Sequence, residues 1–143
     1  MTTSPFWPFS NERDTLRVPG PAVVVARTTE RVGDAIATLQ EYGISQMPVS
    51  EDAAGDAVAG IVGSINEKSL LDRAFRDPSI VQRTVGEVMD GPLPLVDASA
   101  TLDEAFTLLS GGSPALVAVR GEQPAGVVTK LDLLEYLSHL SRD

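Results

Sequence analysis

The residues best suited to hold a ligand stand close together near the end of the chain. Thr129, Lys130 and Asp132 fall where a short apolar segment gives way to a helical pattern. At such a junction the first backbone N–H groups of the helix have no intrahelical partner, and the helix dipole presents its positive end. This arrangement suits an anion or another polar ligand group. A purely local role also fits, in which Thr129 caps the turn and Asp132 complements the dipole.

Residue types that perform catalysis are sparse. His139 is the one histidine, and its place on the predicted last helix favours a surface or helix-end role. Asp103 and Glu104 form a carboxylate pair, but acidic residues are favoured in the first turn of any helix. The sequence has no Walker loop, dinucleotide fingerprint or metal-ligand cluster. It therefore predicts no enzyme, no catalytic cofactor and no metal site.

The charge and composition restrict the partners. Twenty acidic against eleven basic residues give a formal charge of −9, and no basic stripe offsets it, so nucleic acid is an improbable partner. No apolar run is long enough for a membrane span, and no leader sequence is visible. The chain has no cysteine, which excludes disulfides and thiolate metal sites and fits a cytoplasmic protein.

The chain also aligns with itself. Residues 32–49 lie over 102–119 without a gap at an offset of 70, and the match resumes at an offset of 66 with residues 59–62 over 125–128. This alignment puts Gly63 at the position of Thr129 and Asn66 at the position of Asp132. Identities are few, but the order of elements repeats as well, which indicates one duplicated unit.

Each copy is predicted to be a β-α-β-β-α unit, which makes the fold class α+β. Helical spacing of apolar residues begins at Val32 and again at Leu102. Thr101 and Glu104 form a capping-box signature, which the first copy lacks because Arg31 holds that place. The predicted strands are 22–26, 47–50, 57–63, 93–96, 115–119 and 126–129. The second helix of each copy is predicted at 67–76 and at 131–140.

Four segments follow from this pattern. Residues 1–20 are expected to be irregular apart from the aromatic patch Phe6–Phe9, 21–77 form the first repeat, 78–90 a structured linker, and 91–143 the second repeat. Neither unit of about sixty residues buries a large core alone. Packing of the two units through pseudo-two-fold symmetry is the expected solution.

Three segments resemble the tandem cystathionine-β-synthase (CBS) domain pair, or Bateman module. Residues 42–49 (YGISQMPV) look like the family's Gly-x-x-x-x-Pro-Val strand entry, 125–134 (AGVVTKLDLL) match its Thr-x-x-Asp motif, and 85–89 (VGEVM) resemble the usual lead-in to a second repeat. The resemblance covers about 120 residues, from Ala22 to the C-terminus. Residues 42–49 and 60–71 are also similar to the C-terminal regulatory region of bacterial cystathionine β-synthase.

The resemblance implies a cleft for an adenosyl ligand, either S-adenosylmethionine or AMP, ADP or ATP. Asp132 would accept hydrogen bonds from the ribose diol, and Thr129 would contact the ribose or the first phosphate. Lys130 could meet a phosphate, whereas the net charge of −9 tolerates the cationic sulfonium of S-adenosylmethionine, to which the balance leans slightly. The base pocket would come from the strand entry of the other copy and from the floor of the cleft, at Ala22, Ile44, Ser45, Gln46, Met47 and Val127.

Two alternatives stay open at this stage. Ile44 and Met47 could sandwich a purine or belong to the ordinary core, where methionine often fills irregular gaps. The second cleft would lack both the hydroxyl and the carboxylate, since Gly63 and Asn66 stand there, and one ligand per chain is therefore expected.

The family resemblance further implies a regulatory protein with no catalysis of its own. It would dimerise through its repeat helices and modulate an attached or partner enzyme, for example a pyridoxal-phosphate enzyme whose catalytic domain this chain lacks. The alternative is a ligand-free dimerisation or interaction scaffold, in which the Phe6–Phe9 patch docks on a partner.

Overall fold

The computed structural model describes residues 23–52 and 57–140, except for the side chains of Tyr136, His139 and Leu140. The chain divides into two compact units, of which one is Val24–Leu93 and the other contains Pro94–Asp143. Ala22 and the Phe6–Phe9 patch lie outside the described residues. No helix in the described ranges is long and apolar enough to cross a membrane.

The first unit is a three-stranded sheet with two main helices. Strand β1 pairs in parallel with β2, and β2 pairs antiparallel with β3. A 3₁₀ turn at Pro78–Gln82 and a short helix close the unit. Its elements are β1 (Ala26–Arg27), α1 (Val32–Tyr42), β2 (Gln46–Ser50), β3 (Ile61–Asn66), α2 (Glu67–Arg76) and α3 (Val85–Val88).

The second unit repeats this topology. Its sheet has the order β4-β5-β6, with the same parallel and antiparallel pairings. The prediction of two β-α-β-β-α repeats in an α+β fold is therefore confirmed. The elements are β4 (Leu95–Asp97), α4 (Leu102–Ser110), β5 (Ala115–Arg120), β6 (Gln123–Thr129) and α5 (Lys130–Leu140).

The strand predicted at residues 57–63 is wrong in its placement. Val58–Gly60 form a 3₁₀ turn, and β3 begins only at Ile61 and runs on to Asn66. The backbone passes close to Ser50 and Asp52 at Gly60, where an added Cβ would lie 2.7 Å from the Asp52 Cβ. A tight turn with a glycine at the point of closest approach thus replaces the first half of the predicted strand.

Each helix packs one apolar face on its own sheet. In the first unit the helical spacing of α1 buries Val32, Ala35 and Leu39 against Met47 and Val49 of β2. In the second unit α4 buries the equivalent apolar positions against β5. Helix α1 ends at Tyr42 and is capped by Gly43, whose φ of 62° is the left-handed conformation that glycine adopts without strain.

The linker is structured, and it belongs to the first unit. Residues 84–91, called the strap below, are held by backbone hydrogen bonds from Val85 N to Glu30 O (2.7 Å) and from Gly86 N to Thr28 O (2.9 Å). The last part of the strap forms a bridge in which the backbone groups of Ser64 and Asp90 exchange two hydrogen bonds. The Ser64 hydroxyl also donates to the Gly91 carbonyl oxygen at 2.7 Å.

Helix α4 begins with the predicted capping box. The Glu104 N–H donates to Thr101 Oγ1 at 3.2 Å, and the Glu104 carboxylate accepts from Thr101 N at 3.5 Å. Helix α1 begins at Val32, and its N-cap residue Arg31 provides no side-chain cap, as the sequence predicts. The two copies of this helix thus differ at their N-termini.

The turn between β4 and α4 contains a carboxylate, Asp97, that should make the stability of the protein depend on pH. Asp97 Oδ1 accepts hydrogen bonds from Ser99 Oγ and Ser99 N, and these bonds hold the pKa of Asp97 below its ordinary value of 3.8. A lowered folded-state pKa contributes stability above the unfolded pKa, and that contribution is lost as the pH falls through the folded value. The melting-temperature difference between the parent and Asp97→Asn should therefore shrink below about pH 4. A difference that stays constant from pH 7 to pH 2 would contradict this assignment.

Candidate functional site

The strand-to-helix junction at Thr129 is closed by a reciprocal cap. Asp132 Oδ2 accepts hydrogen bonds from Thr129 N at 2.8 Å and from Thr129 Oγ1 at 3.0 Å. The Asp132 N–H in turn donates to Thr129 Oγ1 at 3.2 Å. The local capping role that the sequence left open is therefore present in the structure.

The cap leaves part of Asp132 available. Oδ2 is committed to Thr129, whereas Oδ1 has no partner among the described residues, and the side chain is exposed. The Thr129 hydroxyl already donates and accepts once, so one lone pair is left for a ligand hydrogen. Lys130 is exposed in the same first turn of α5. The junction can thus offer one carboxylate oxygen and one hydroxyl lone pair, both positioned by the cap, with the exposed cation of Lys130 beside them.

The entry to β2 is built by the C-cap of α1. The left-handed Gly43 turns the chain, and Ile44 N donates to Leu39 O at 3.0 Å. Ile44 is half-buried against the first core, and Ser45 is exposed, with its carbonyl oxygen accepting from Glu67 N at 2.9 Å. The backbone oxygen of Ser45 is therefore used by the fold, while its hydroxyl faces solvent.

Met47 and Val127 differ in the surface that they present. Met47 is 0% exposed and packs in the first core, so the structure favours the core role over the pocket role for this residue. Val127 is half-buried and pairs with Val117 in the sheet. A ligand contact at Val127 stays a prediction, as does one at Ala22, which lies outside the described residues.

Gln46 carries an unpaired acceptor. Its Oε1 is buried and has no hydrogen-bond partner in the part of the chain that the structure describes. A buried acceptor without a partner costs about 1–3 kcal/mol. Gln46 begins β2 directly opposite Asn66, the residue at the end of β3. Among the site residues predicted from the sequence, Gln46 is the one whose side chain has a buried acceptor without a partner in the described residues.

The two sheets give a different repeat alignment from the one read off the sequence. In each sheet the register shifts once, after Val49 opposite Gly63 and after Ala118 opposite Gly126. Matching the two shifts superimposes Asn66 on Thr129. The offset between the copies is then 63 residues at this junction and 69 in the preceding strand, instead of the predicted 66 and 70.

The predicted equivalence of Gly63 and Asn66 with Thr129 and Asp132 is therefore wrong. Asn66 occupies the threonine position and Ser69 the aspartate position, and Asn66 Oδ1 accepts from Ser69 N at 3.1 Å. The first repeat thus keeps a polar cap but lacks the carboxylate. The signal missed in the sequence is the common pattern Gly-x-x-polar-x-x-polar-Leu-Leu at residues 63–71 and 126–134.

The two carboxylates considered for catalysis lie in the first turn of α4. Glu104 belongs to the capping box of α4, Asp103 is exposed in the same turn, and the side chain of His139 lies outside the described residues. Within the described residues no three His, Asp or Glu side chains are grouped to hold a metal ion.

Two β-α-β-β-α repeats, one with a Thr-x-x-Asp junction after its last strand, define a tandem-repeat module. The chain belongs to the CBS domain family, because the model of that family matches residues 16–75 and 85–139. It is thus a tandem CBS domain pair.

Solved CBS-domain structures resemble this fold at low sequence identity. A CBS-domain containing protein from Agrobacterium tumefaciens has a TM-score of 0.69 at 21% identity, covering 81% of this chain and 84% of that one. A putative acetoin utilization protein from Vibrio cholerae has a TM-score of 0.69 at 20% identity, covering 92% and 91%. CBSX2, the CBS-pair protein of Arabidopsis thaliana, was solved in complex with AMP and matches with a TM-score of 0.64 at 23% identity, covering 84% and 90%.

Proposed function

We propose that this chain is a regulatory module that binds an adenosyl ligand at the Thr129–Asp132 junction and performs no catalysis. The observation that carries the proposal is Asp132 Oδ1, which has no partner among the described residues and is presented at the N-terminus of α5 by a cap that uses Oδ2. A carboxylate oxygen held in this way accepts a ribose hydroxyl without reorganisation. The complex of CBSX2 with AMP supports an adenosyl ligand for a CBS pair.

The ligand is either an adenine nucleotide or S-adenosylmethionine. The exposed Lys130 beside the junction favours a phosphate, and therefore AMP, ADP or ATP. The net charge of −9 and the similarity of residues 42–49 and 60–71 to the regulatory region of bacterial cystathionine β-synthase favour S-adenosylmethionine. Both ligands share the adenosyl part, for which Thr129, Asp132, Ile44, Ser45, Gln46 and Val127 are the proposed contacts.

We further propose that the chain forms a homodimer and regulates an attached or partner enzyme. Helix α2 exposes Leu71 (69%) and Phe75 (86%), and α5 exposes Leu131 (72%) and Leu134 (62%). Such large exposed apolar side chains on two helices favour a homodimer through the repeat helices. Ligand binding would bias the arrangement of this dimer and so alter an attached or partner enzyme. Without a ligand effect, the same surfaces would support the alternative function, a dimerisation scaffold.

The substitution Asp132→Ala tests the ligand site. Losing a charged hydrogen-bond acceptor costs about 1.5–3 kcal/mol, so the affinity for the true ligand should fall about 10- to 100-fold. The measurement is the thermal shift produced by AMP, ADP, ATP and S-adenosylmethionine, because a ligand that binds only the folded state raises the melting temperature. Sedimentation velocity on the same samples reports the dimer.

Glu104→Ala is the matched control. It removes the carboxylate of an equivalent capping box, at α4, so it imposes a similar helix-capping loss without touching the proposed site. The control should keep the full ligand shift. An Asp132→Ala variant that binds like the parent would refute the site, and a parent that responds to none of the four ligands while remaining dimeric would support the scaffold.

A further inference from the structure

Methionine is the only sulfur-containing residue type in this chain. The sequence has three methionines and no cysteine, so no thiol competes with them for an oxidant. Met47 is 0% exposed in the first core, whereas Met89 is half-buried in the strap. Met1 lies outside the described residues. Of the two methionines that the structure describes, Met89 is therefore the one open to an oxidant in solution.

The sulfur atom of Met89 lies directly on β3. It occupies a notch at Gly63 that a larger residue would fill, because an added Cβ there would lie 2.5 Å from Met89 Sδ and 3.0 Å from its Cγ. The same Cβ would lie 2.7 Å from the Asp90 carbonyl oxygen, so one wall of the notch is a hydrogen-bond acceptor. The Met89 side chain also packs on the first core. The thioether thus joins the strap to β3 by apolar contact.

The backbone donors that flank this sulfur atom are already in use. Met89 N donates to Val85 O at 2.8 Å, and the Ser64 and Asp90 N–H groups each donate to the carbonyl oxygen of the other residue. The Ser64 hydroxyl donates to the Gly91 carbonyl oxygen. A sulfoxide oxygen in the notch would therefore be an acceptor without a donor, and the Asp90 carbonyl would repel it. The oxidised side chain is expected to turn toward water and leave β3.

We propose that Met89 is a reversible oxidation site whose conversion to the sulfoxide by hydrogen peroxide releases the strap from β3. A lone pair of Met89 Sδ attacks one peroxide oxygen, and the S–O bond forms as the O–O bond breaks. The departing hydroxide takes the proton of the transferred oxygen and leaves as water, so the sulfur loses two electrons and the peroxide is reduced. Because the strap precedes the second repeat in the chain, oxidation frees the segment that joins the repeats, whether or not an adenosyl ligand binds.

The first test exposes the full-length parent to hydrogen peroxide and follows the oxidation of each methionine by peptide mass spectrometry. Met89 should be oxidised at least about tenfold faster than Met47, because Met47 reacts only when the core opens. Hydrogen exchange at the Ser64 and Asp90 amides should become about tenfold faster in the oxidised protein, and a methionine sulfoxide reductase should restore the slow exchange. Equal oxidation of Met47 and Met89, or unchanged exchange once Met89 is oxidised, overturns the inference.

Three variants separate oxidation of Met89 from general damage. Met89→Leu conserves the volume and removes the reactive sulfur, so peroxide should no longer change the exchange of Ser64 and Asp90. Met47→Leu is the matched control and should respond to peroxide like the parent. Met89→Gln puts a polar side chain in the notch, so without peroxide it should show the fast exchange and melt about 2–8 °C below the parent. A Met89→Leu protein that loosens in peroxide, or a Met89→Gln protein with the exchange of the parent, contradicts the proposal.

Discussion

Met47→Ala is expected to lower the free energy of unfolding of the ligand-free protein by about 2–5 kcal/mol, because it removes a fully buried side chain and leaves a cavity. Met47 contacts the core built by α1, β2 and β3, and not a solvent-exposed cleft. Urea unfolding followed by circular dichroism measures the loss. The change should appear as a lower midpoint at an unchanged slope.

Met47→Leu separates the core role from a ligand-contact role. Leucine conserves the volume, so the loss should stay below about 1.5 kcal/mol. If Met47 instead formed part of the base pocket, Met47→Ala would leave the unfolding midpoint of the free protein near that of the parent and reduce only the thermal shift by ligand. That result would contradict the assignment to the core.

Gly63→Ala is expected to destabilise the first repeat by about 1–3 kcal/mol through overpacking. A Cβ on Gly63 would lie 2.5 Å from Met89 Sδ and 2.7 Å from the Asp90 carbonyl oxygen, so the strap would have to move away from β3. The hydrogen bonds between Ser64 and Asp90 should weaken with it, because they join the same two segments. Hydrogen exchange at the Ser64 and Asp90 amides reports this loosening, and thermal unfolding reports its energy.

Two further variants sharpen this prediction. Gly91→Ala places its methyl group in open space, so it should be neutral or slightly stabilising. Adding Met89→Ala to Gly63→Ala removes the clash with sulfur but not the one with the Asp90 carbonyl, so it should recover only part of the lost exchange protection. Unchanged protection of Ser64 in Gly63→Ala would show that the strap does not pack on β3 as described.

The sequence predicts the element order well because apolar spacing and turn residues are local signals. The bounds of α2, residues 67–76, and the capping box of Thr101 and Glu104 are both confirmed. These features depend on residues within one turn of each other. They therefore require no knowledge of which strand pairs with which.

The register between the two copies could not be obtained in the same way. An alignment by residue identity places Val49 over Val119. The residues that are buried in the two cores instead place Met47 over Leu116 and Val49 over Ala118. A one-residue slip of this kind exchanges the two faces of a strand, and only strand pairing reveals it. The unmet acceptor of Gln46 is hidden from sequence for a similar reason, because it depends on what lies across the sheet.

The position of the strap decides how the first repeat would respond to tension along the chain. A pull on Leu93 reaches the Ser64–Gly91 contact first, then the Ser64–Asp90 bridge, and only afterwards the bonds of Val85 and Gly86 to the segment after β1. Because these contacts are loaded one after another, they open by peeling and not by collective shear. The outer end of the strap therefore separates from β3 first, whereas the end that carries Val85 and Val88 is part of the first core and opens only with it.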